Sequence, residues 1–441
     1  MSKTVWIDLT DLEKWNGQHG GTQRVVYGIA KEYYLDKKVN VSFFSYSTKL
    51  NRFYLTSFKP VYDRVERSRQ EHSVQPDAPS LRNKILVYAK THVPGFVRNS
   101  SKARAACKKL YGSARDIAKA SVLLGKKAKA LLKNKDGSDL KPIEFGADDT
   151  VLILGKPWDS PGLQKLLIEQ KSKTGFKIVQ VVYDLLICLH PQLHHVDLFK
   201  PYTLHMFDAI QCSDLMLCIS EHTRKDLYEL CDRLNLKKPE AVVIRIGDEL
   251  DINQTAVDKT NPLYEPQSFV ICVGTLEIRK NHLLLYQTYK LAEEQSVELP
   301  KLVVIGGKGW LEEQFIYMVE HDPAVKGKID IRNDINDIQL SWLYQNCLFT
   351  VYPSLYEGWG LPVAESLAYG KYCIASSAAS VPEIGGKLID YFSPNDAGAC
   401  LAAYKKGMDH KYRHSKEAQL KSYKVTLWRD TYDQICKLLA H

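Results

Sequence analysis

Short apolar runs alternate with helix-like stretches along most of this chain, and that alternation is the strongest restriction on its fold. One series ends near residue 247 and a second begins at residue 268. Strands that alternate with helices build βαβ units and a parallel sheet. The stretch at 247–267 is polar, contains two prolines and separates the two series as a linker would. We therefore predict an α/β protein with two doubly wound, Rossmann-like domains that face each other across a cleft.

The length of 441 residues supports two domains, because single hydrophobic cores rarely grow beyond about 250–300 residues. We predict a first domain at 1–250 with a basic helical insertion at about 75–145. A second domain follows at 251–412, and a terminal helix within 413–441 is expected to pack back on the first domain. Residues 51–77 are polar without a sustained period, and the last helical stretch is expected at about 416–439.

Positive charge is concentrated in one part of the sequence. Residues 81–141 contain sixteen Lys or Arg and three Asp, a net charge of +13 within a total of +9 for the chain. Within 100–133, five apolar residues repeat every seven positions: Ala103, Leu110, Ile117, Leu124 and Leu131. This pattern predicts a basic amphipathic helix or pair of helices. A solvated hairpin and a surface for anionic lipid both fit. Nucleic acid ranks lower, because the segment lacks a recognition motif and an aromatic platform.

The composition is that of a globular protein, with 45% hydrophobic and 25% charged residues. The N-terminus does not resemble a signal peptide, and no apolar run reaches the roughly 18–20 residues that span a bilayer. The ten cysteines are scattered without a CxxC pair, so neither a disulfide framework nor a zinc site is indicated. We expect a cytoplasmic protein.

The stretch YPSLYEGWGLPVAE at 352–365 carries the strongest chemical signal. Glu357 and Glu365 lie eight positions apart, and Gly358 and Gly360 between them allow the backbone to approach a ligand. Pro362 suits the start of a helix, whose N-terminus attracts anions. We expect Glu365 in the first turn of that helix and Glu357 in the preceding loop, forming a nucleotide-sugar site. An ordinary capped helix remains an alternative, as does a glycosidase acid–base pair roughly 5–9.5 Å apart.

Other polar residues follow predicted strands, where parallel sheets collect their ligands. Asp184 ends a long apolar strand of the first series. Arg279 and Lys280 follow the first strand of the second series, and two adjacent cations suit a diphosphate. A solvated basic turn and a helix cap are the corresponding structural interpretations.

A pair of glycines precedes the first predicted helix. Gly20 and Gly21 form a phosphate-type turn, with Thr22 able to cap the helix and Arg24 available as a cation. Such a pair is also common in simple turns.

Several of these motifs together resemble one known family. GTLEIRKN at 274–281 is similar to its GTxExRKN turn, and YEGWGLPVAE is similar to its E-G-[FW]-G-L-P-x-x-E signature. VYDLLICLHP, LMLCISEHTRKDL and GGTQRVV resemble its other strand ends and its N-terminal glycine loop. The family is the retaining GT-B glycosyltransferases of the family-4 type, which includes mannosyl- and glucosyltransferases of bacterial surface polysaccharides. The resemblance covers the chain except about 51–141.

The resemblance implies roles for individual residues. Glu365 would hold the ribose hydroxyls, Glu357 the transferred sugar and Lys280 the diphosphate. The implied catalytic residues are Glu357, Lys280 and Asp184. The implied donor-binding residues are Gly20, Gly21, Gly274, Thr275, Arg279, Lys280, Glu357, Gly358, Trp359, Gly360, Leu361 and Glu365. Two positions depart from the pattern. Tyr183 stands where many relatives carry His, and Thr275 stands where many carry a second cation, for which Arg279 is the expected substitute.

The function implied is the retaining transfer of a hexose, best guess mannose, from GDP-mannose or a UDP-hexose to a polysaccharide or lipid-linked acceptor. No metal, other cofactor or nucleic-acid partner is expected. The basic segment would place the enzyme on the anionic inner leaflet of the cytoplasmic membrane. Two alternatives remain: a glycoside hydrolase or phosphorylase that uses the Glu pair, and a non-catalytic basic scaffold on membrane or nucleic acid.

Overall fold

The computed structural model describes residues 3–13, 15, 21–74, 140–249 and 263–440. The chain divides into two units, one formed by 1–66 with 143–441 and the other by 67–142. The predicted insertion at 75–145 lies outside the described residues except for 140–145, and its basic core at 100–133 lies wholly outside them. Gly20 and most of the predicted linker also lie outside the described residues.

The first sheet has seven strands in the order β3-β2-β1-β4-β5-β6-β7. Its strands are β1 Val5–Asp8, β2 Val41–Ser47, β3 Arg52–Thr56, β4 Thr150–Ile153, β5 Lys177–Val182, β6 Leu215–Cys218 and β7 Ala241–Val243. Neighbouring strands from β2 to β7 pair in parallel, and β1 aligns Val5 with Val41 on one side and Thr150 on the other. The edge strand β3 is antiparallel to β2.

The second sheet has six strands in the order β10-β9-β8-β11-β12-β13, and all of its pairs are parallel. Its strands are β8 Phe269–Val273, β9 Lys301–Ile305, β10 Ile329–Arg332, β11 Thr350–Tyr352, β12 Cys373–Ser376 and β13 Asp390–Phe392. The central strands β8 and β9 are buried along nearly their whole length, which explains their continuous apolar sequences. The prediction of two parallel α/β sheets is confirmed.

Helices connect the strands. We number them α1 Gly21–Leu35, α2 Lys59–Val74, α3 Leu163–Thr174, α4 Leu186–Leu189, α5 Phe199–Cys212, α6 Glu221–Leu234, α7 His282–Glu294, α8 Glu313–His321, α9 Asp337–Asn346, α10 Leu361–Ala368, α11 Val381–Gly385, α12 Ala397–Met408, α13 His410–Gln419 and α14 Trp428–Leu439. No helix in the described ranges is long and apolar enough to cross a membrane.

Two stretches differ from what the sequence suggested. Residues 51–77 are polar without a sustained period, yet they contain β3 and α2. Within 59–67, the part of α2 whose burial the structure describes, Val61 and Val65 are the deeply buried residues. The last helical stretch is two helices with a break between them. At the break, both backbone groups of Thr426 bond the buried Asp248. The N–H of Thr426 donates to the Asp248 carboxylate at 2.6 Å, and the carbonyl oxygen of Thr426 accepts from the Asp248 N–H at 3.0 Å. A residue whose backbone is used in this way cannot continue a helical ladder.

The two sheets share packed side chains. One cluster of buried apolar residues extends from Ile7 in β1 to Val363 in α10. On the first sheet, α14 packs against α1, with the rings of Tyr33 and Tyr432 edge to face at 4.6 Å. The indole of Trp428 lies between two glycines, Gly28 and Gly247, so close that a Cβ on either would overlap it.

Candidate active site

Loops from the carboxyl edges of the two sheets meet closely at Gly358. A Cβ on Gly358 would lie 1.9 Å from the carbonyl oxygen of Tyr183, which only a glycine permits. The hydroxyl of Thr223 lies 3.3 Å from the Tyr183 carbonyl oxygen and 3.4 Å from that of Gly358. The loop after β5, which carries Asp184, is therefore fixed directly against the loop that carries Glu357.

Glu357 is the centre of a buried cluster of charges. Its Oε1 accepts hydrogen bonds from Lys280 Nζ and the Tyr352 hydroxyl, both at 2.8 Å, and its Oε2 pairs with Arg279. Burial raises the pKa of Glu357, but the two adjacent cations outweigh burial and hold the pKa at about 2. The carboxylate thus stays ionised at neutral pH.

Arg279 is more fully paired than the sequence suggested. One guanidinium nitrogen bonds Glu357 and the Tyr356 carbonyl oxygen, and the other donates to Glu277 at 2.6 Å. Burial lowers the pKa of Arg279, and the two carboxylates raise it by more, so the side chain stays charged. The predicted role of Arg279 as a substitute phosphate cation at Thr275 stays a prediction. In this structure its charge is shared between two carboxylates.

Lys280 has fewer polar partners. Its ammonium donates to Tyr352 at 2.7 Å and to Glu357 at 2.8 Å, and its stem lies 3.4 Å from where a Cβ of Gly274 would stand. Burial lowers the pKa of Lys280 more than Glu357 raises it. Thr275, at the turn before it, is exposed.

Glu365 lies one turn further into its helix than predicted. The helix α10 begins at Leu361, so Glu365 is the fifth residue, in the second turn. Gly360 stands before it with a φ of +129°, which favours glycine. The buried carboxylate accepts from Arg24 Nη1 at 2.8 Å and from the Tyr344 hydroxyl at 2.9 Å. Arg24 belongs to α1, which packs on the first sheet, whereas Glu365 belongs to α10 on the second sheet. This ion pair therefore joins the two halves of the molecule, each built on one of the sheets.

Asp184 faces the same cluster. Burial raises the pKa of Asp184 even though Arg279 lowers it, and one carboxylate oxygen accepts the Leu186 N–H at 3.1 Å. The neighbouring Tyr183 donates its hydroxyl to the Leu154 carbonyl oxygen at 2.6 Å. The Tyr183 hydroxyl is therefore occupied by a hydrogen bond within the protein.

The remaining predicted residues lie around these groups. Trp359 is buried, and the guanidinium of Arg245 lies over its ring at 5.7 Å. Leu361 is the first residue of α10 and Gly21 is the first of α1, where an added Cβ would meet no atom of the described residues within 4 Å. Sequence reasoning missed Tyr352 and Tyr344, which bind the two glutamates. A lone tyrosine carries no sequence signal that could have identified either.

The geometry bears on the alternative chemistries. A glycosidase acid needs a pKa near the working pH, and Glu357, with its pKa at about 2, is a poor proton donor. Within the described part of the chain, no group of three or more His, Cys, Asp or Glu side chains could hold a metal ion. All nine cysteines in those ranges are free thiols.

Comparisons with known proteins agree with this arrangement. Residues 253–406, which include the whole second sheet, match the family model for glycosyl transferases group 1. The fold of the whole chain matches that of Anabaena Alr3699/HepE, with a TM-score of 0.60, 12% identity and 100% coverage of both chains. The chain has the fold of the GT-B glycosyltransferases, and the predicted fold class is confirmed. The match over 253–406 supports the predicted family resemblance. Sucrose-phosphate synthase from Thermosynechococcus elongatus also shares the fold, with a TM-score of 0.57, 14% identity and coverage of 100% and 98%.

Proteins with similar sequences include mannosyltransferases. The O-antigen chain mannosyltransferase B of Escherichia coli is 26% identical over 231 residues, which are 51% of this chain and 60% of that protein. The serotype-specific mannosyltransferase WbdA of Escherichia coli is 23% identical over 264 residues, 58% of this chain and 32% of its own length. The chain thus spans less than two thirds of the length of these relatives.

Proposed function

We propose that this chain is a retaining hexosyltransferase that moves mannose from a nucleoside-diphosphate sugar to a saccharide acceptor of a surface polysaccharide. The observation that carries the proposal is the buried Glu357 cluster, in which an ionised carboxylate holds Lys280 at the carboxyl edge of the second sheet. The mannosyltransferase relatives favour mannose. A fold neighbour crystallised with UDP and glucose supports a nucleotide-linked donor but leaves a UDP-hexose as the competing choice.

The chemistry of the proposal is the one that the resemblance to retaining GT-B enzymes implies. The bond between the anomeric carbon and the diphosphate oxygen breaks, and the acceptor oxygen bonds the same face of that carbon. The acceptor proton passes to a diphosphate oxygen, so no protein acid is needed. Lys280 stabilises the charge that develops on the leaving diphosphate. Glu357 stays ionised, orients Lys280 and accepts hydrogen bonds from hydroxyls of the transferred sugar.

A thermal-shift screen identifies the donor. Full-length protein is heated with GDP-mannose, UDP-glucose, UDP-galactose or UDP-GlcNAc, and the true donor raises the unfolding temperature by mass action. Stabilisation by GDP-mannose alone supports the proposal, and stabilisation by a UDP-hexose alone replaces the sugar assignment. If no nucleotide sugar changes the unfolding temperature, the proposal fails and a non-catalytic scaffold gains support.

Calorimetry on Lys280→Ala tests the role of the cation. Loss of a charge-assisted contact of about 1.5–3 kcal/mol should weaken donor binding about 10- to 150-fold. Lys290→Ala is the matched control, because Lys290 lies on the exposed side of α7 and pairs with Asp322 at 2.9 Å. Equal donor affinity in the two variants would remove Lys280 from the site.

We further propose that the basic segment docks the enzyme on an anionic membrane surface. The support is its net charge of +13 over 81–141, with each basic residue near such a surface contributing about 1 kcal/mol. Deletion of 100–133 should abolish flotation with liposomes that contain phosphatidylglycerol. Flotation unchanged by the deletion would refute this docking.

A further inference from the structure

Glu365 is a buried carboxylate whose two oxygens are both occupied by other parts of the protein. Only 4% of the residue is exposed. Its Oε2 accepts from Tyr344 on α9, in the same half of the molecule, at 2.9 Å. Its Oε1 accepts from Arg24 on α1, in the other half, at 2.8 Å. Within the described residues, these are the hydrogen-bond partners that the carboxylate has.

The two partners differ in how readily they can leave. Tyr344 is fully buried and its ring stacks on Tyr369 at 5.0 Å, which fixes the phenol in place. The side chain of Arg24 is 31% exposed and its bond to Glu365 spans 341 positions of sequence. The Glu365 carboxylate raises the pKa of Arg24 by more than burial lowers it, so the guanidinium remains charged. Of the two contacts that Glu365 makes, movement of α1 away from α10 would break the one to Arg24 and leave the one to Tyr344.

We propose that Arg24 is a positioning residue that competes with the nucleotide ribose for Glu365. The inference rests on the proposed function, in which Glu365 accepts the ribose hydroxyls. Because so little of Glu365 is exposed, a hydroxyl reaches Oε1 only after Arg24 withdraws. Withdrawal breaks an ion pair that links α1 to α10, so entry of the donor is coupled to loosening of the contact between the two sheets. The ion pair between Arg24 and Glu365 re-forms when the nucleoside diphosphate leaves, which favours product release.

The test compares nucleotide affinity in three variants of the full chain. Arg24→Met removes the charged competitor for Glu365, and Arg24→Lys keeps a positive charge at that position. Tyr344→Phe removes the second hydrogen-bond partner of Glu365, which lies on the same half of the molecule as Glu365. Binding of GDP and of UDP is measured by calorimetry, and association rates by stopped flow. Arg233→Met serves as a surface control, because the Arg233 side chain on α6 is 56% exposed and, in the described part of the chain, forms its ion pair with Glu229 on its own helix.

The expected result is about twofold to fivefold tighter nucleotide binding by Arg24→Met, with faster association, since a partly exposed ion pair is lost from the free protein. Arg24→Lys should lie between Arg24→Met and the wild type, and Tyr344→Phe should show no gain. A purely structural arginine would give unchanged or weaker binding on substitution, and that outcome overturns the inference while leaving the proposed function intact. Failure of every protein, wild type included, to bind either nucleotide overturns both.

Discussion

A close backbone contact between loops of the two sheets provides the sharpest test of this site. Real Cβ atoms essentially never lie within 3.0 Å of another heavy atom, yet a Cβ on Gly358 would stand 1.9 Å from the Tyr183 oxygen and 2.9 Å from its carbon. It would also lie 3.0 Å from the Cβ of Asp184. Both sides of the contact are backbone or short side chain, so neither can rotate away. Gly358→Ala must therefore push the two loops apart by about 1 Å.

The cost of that displacement can be stated in stability and in rate. Overpacking of this kind typically costs about 1–3 kcal/mol of unfolding free energy. Because Glu357 precedes Gly358 directly, its carboxylate moves with the loop, and a shift of about 1 Å in a catalytic group can cost about 100-fold in rate. Gly307→Ala is the matched control, since a Cβ there has no neighbour within 4 Å. Its unfolding free energy should stay within about 0.5 kcal/mol of the wild type.

Two measurements decide the outcome. Urea titrations give the unfolding free energy, and release of nucleoside diphosphate from the donor found in the thermal-shift screen gives the rate. We expect Gly358→Ala to be slower and less stable than Gly307→Ala. Equal rates and stabilities in the two variants would mean that Tyr183 and Gly358 are not in contact in solution. Lost stability with an unchanged rate would show that Glu357 tolerates the displacement.

Two further predictions concern buried groups. The pKa of Glu357 is held at about 2 against an ordinary 4.5, so its ionisation stabilises the fold above pH 4.5 and that contribution is lost as pH falls toward 2. Urea titrations should find Glu357→Gln about 3 kcal/mol less stable near neutral pH, with a narrowing difference below pH 4.5. Gly28→Ala places a Cβ 2.2 Å from the Trp428 ring, so thermal unfolding should detect a loss of about 1–3 kcal/mol, unlike Gly146→Ala, whose Cβ meets nothing closer than 3.5 Å.

The regular part of the fold was predictable because burial and sequence period agree there. Strand β5 is buried over five of its six residues, and four of those five are valine or isoleucine, as expected of a buried parallel strand. At the break before α14, long-range pairing overrides local preference. Thr426 could continue a helix by itself, but Asp248, far away in sequence, takes its backbone N–H. No local pattern carries that information.

The site divides in the same way. Glu357 and Lys280 were predicted from motifs, and the structure brings them together at 2.8 Å. The pairing of Arg24 with Glu365 was not predicted, because it depends on how the two sheets face each other rather than on either segment. Glu365 was placed one turn too early, since the position of the helix start relative to Gly360 depends on a loop conformation that a motif does not specify.

Arg279 and Lys280 have different partners, which gives them different roles under the proposed function. Arg279 is held by two carboxylates and a backbone carbonyl oxygen, so turning it toward a phosphate would leave Glu277 buried and unpaired. An unpaired buried charge costs several kcal/mol, roughly 3–5 in measured cases. Lys280 and Arg279 both bond the Glu357 carboxylate, and the other partner of Lys280 is the neutral phenol of Tyr352. Glu357 therefore keeps a cationic partner when Lys280 moves, which makes Lys280 the better placed of the two to follow the leaving diphosphate while Arg279 holds Glu357 in position.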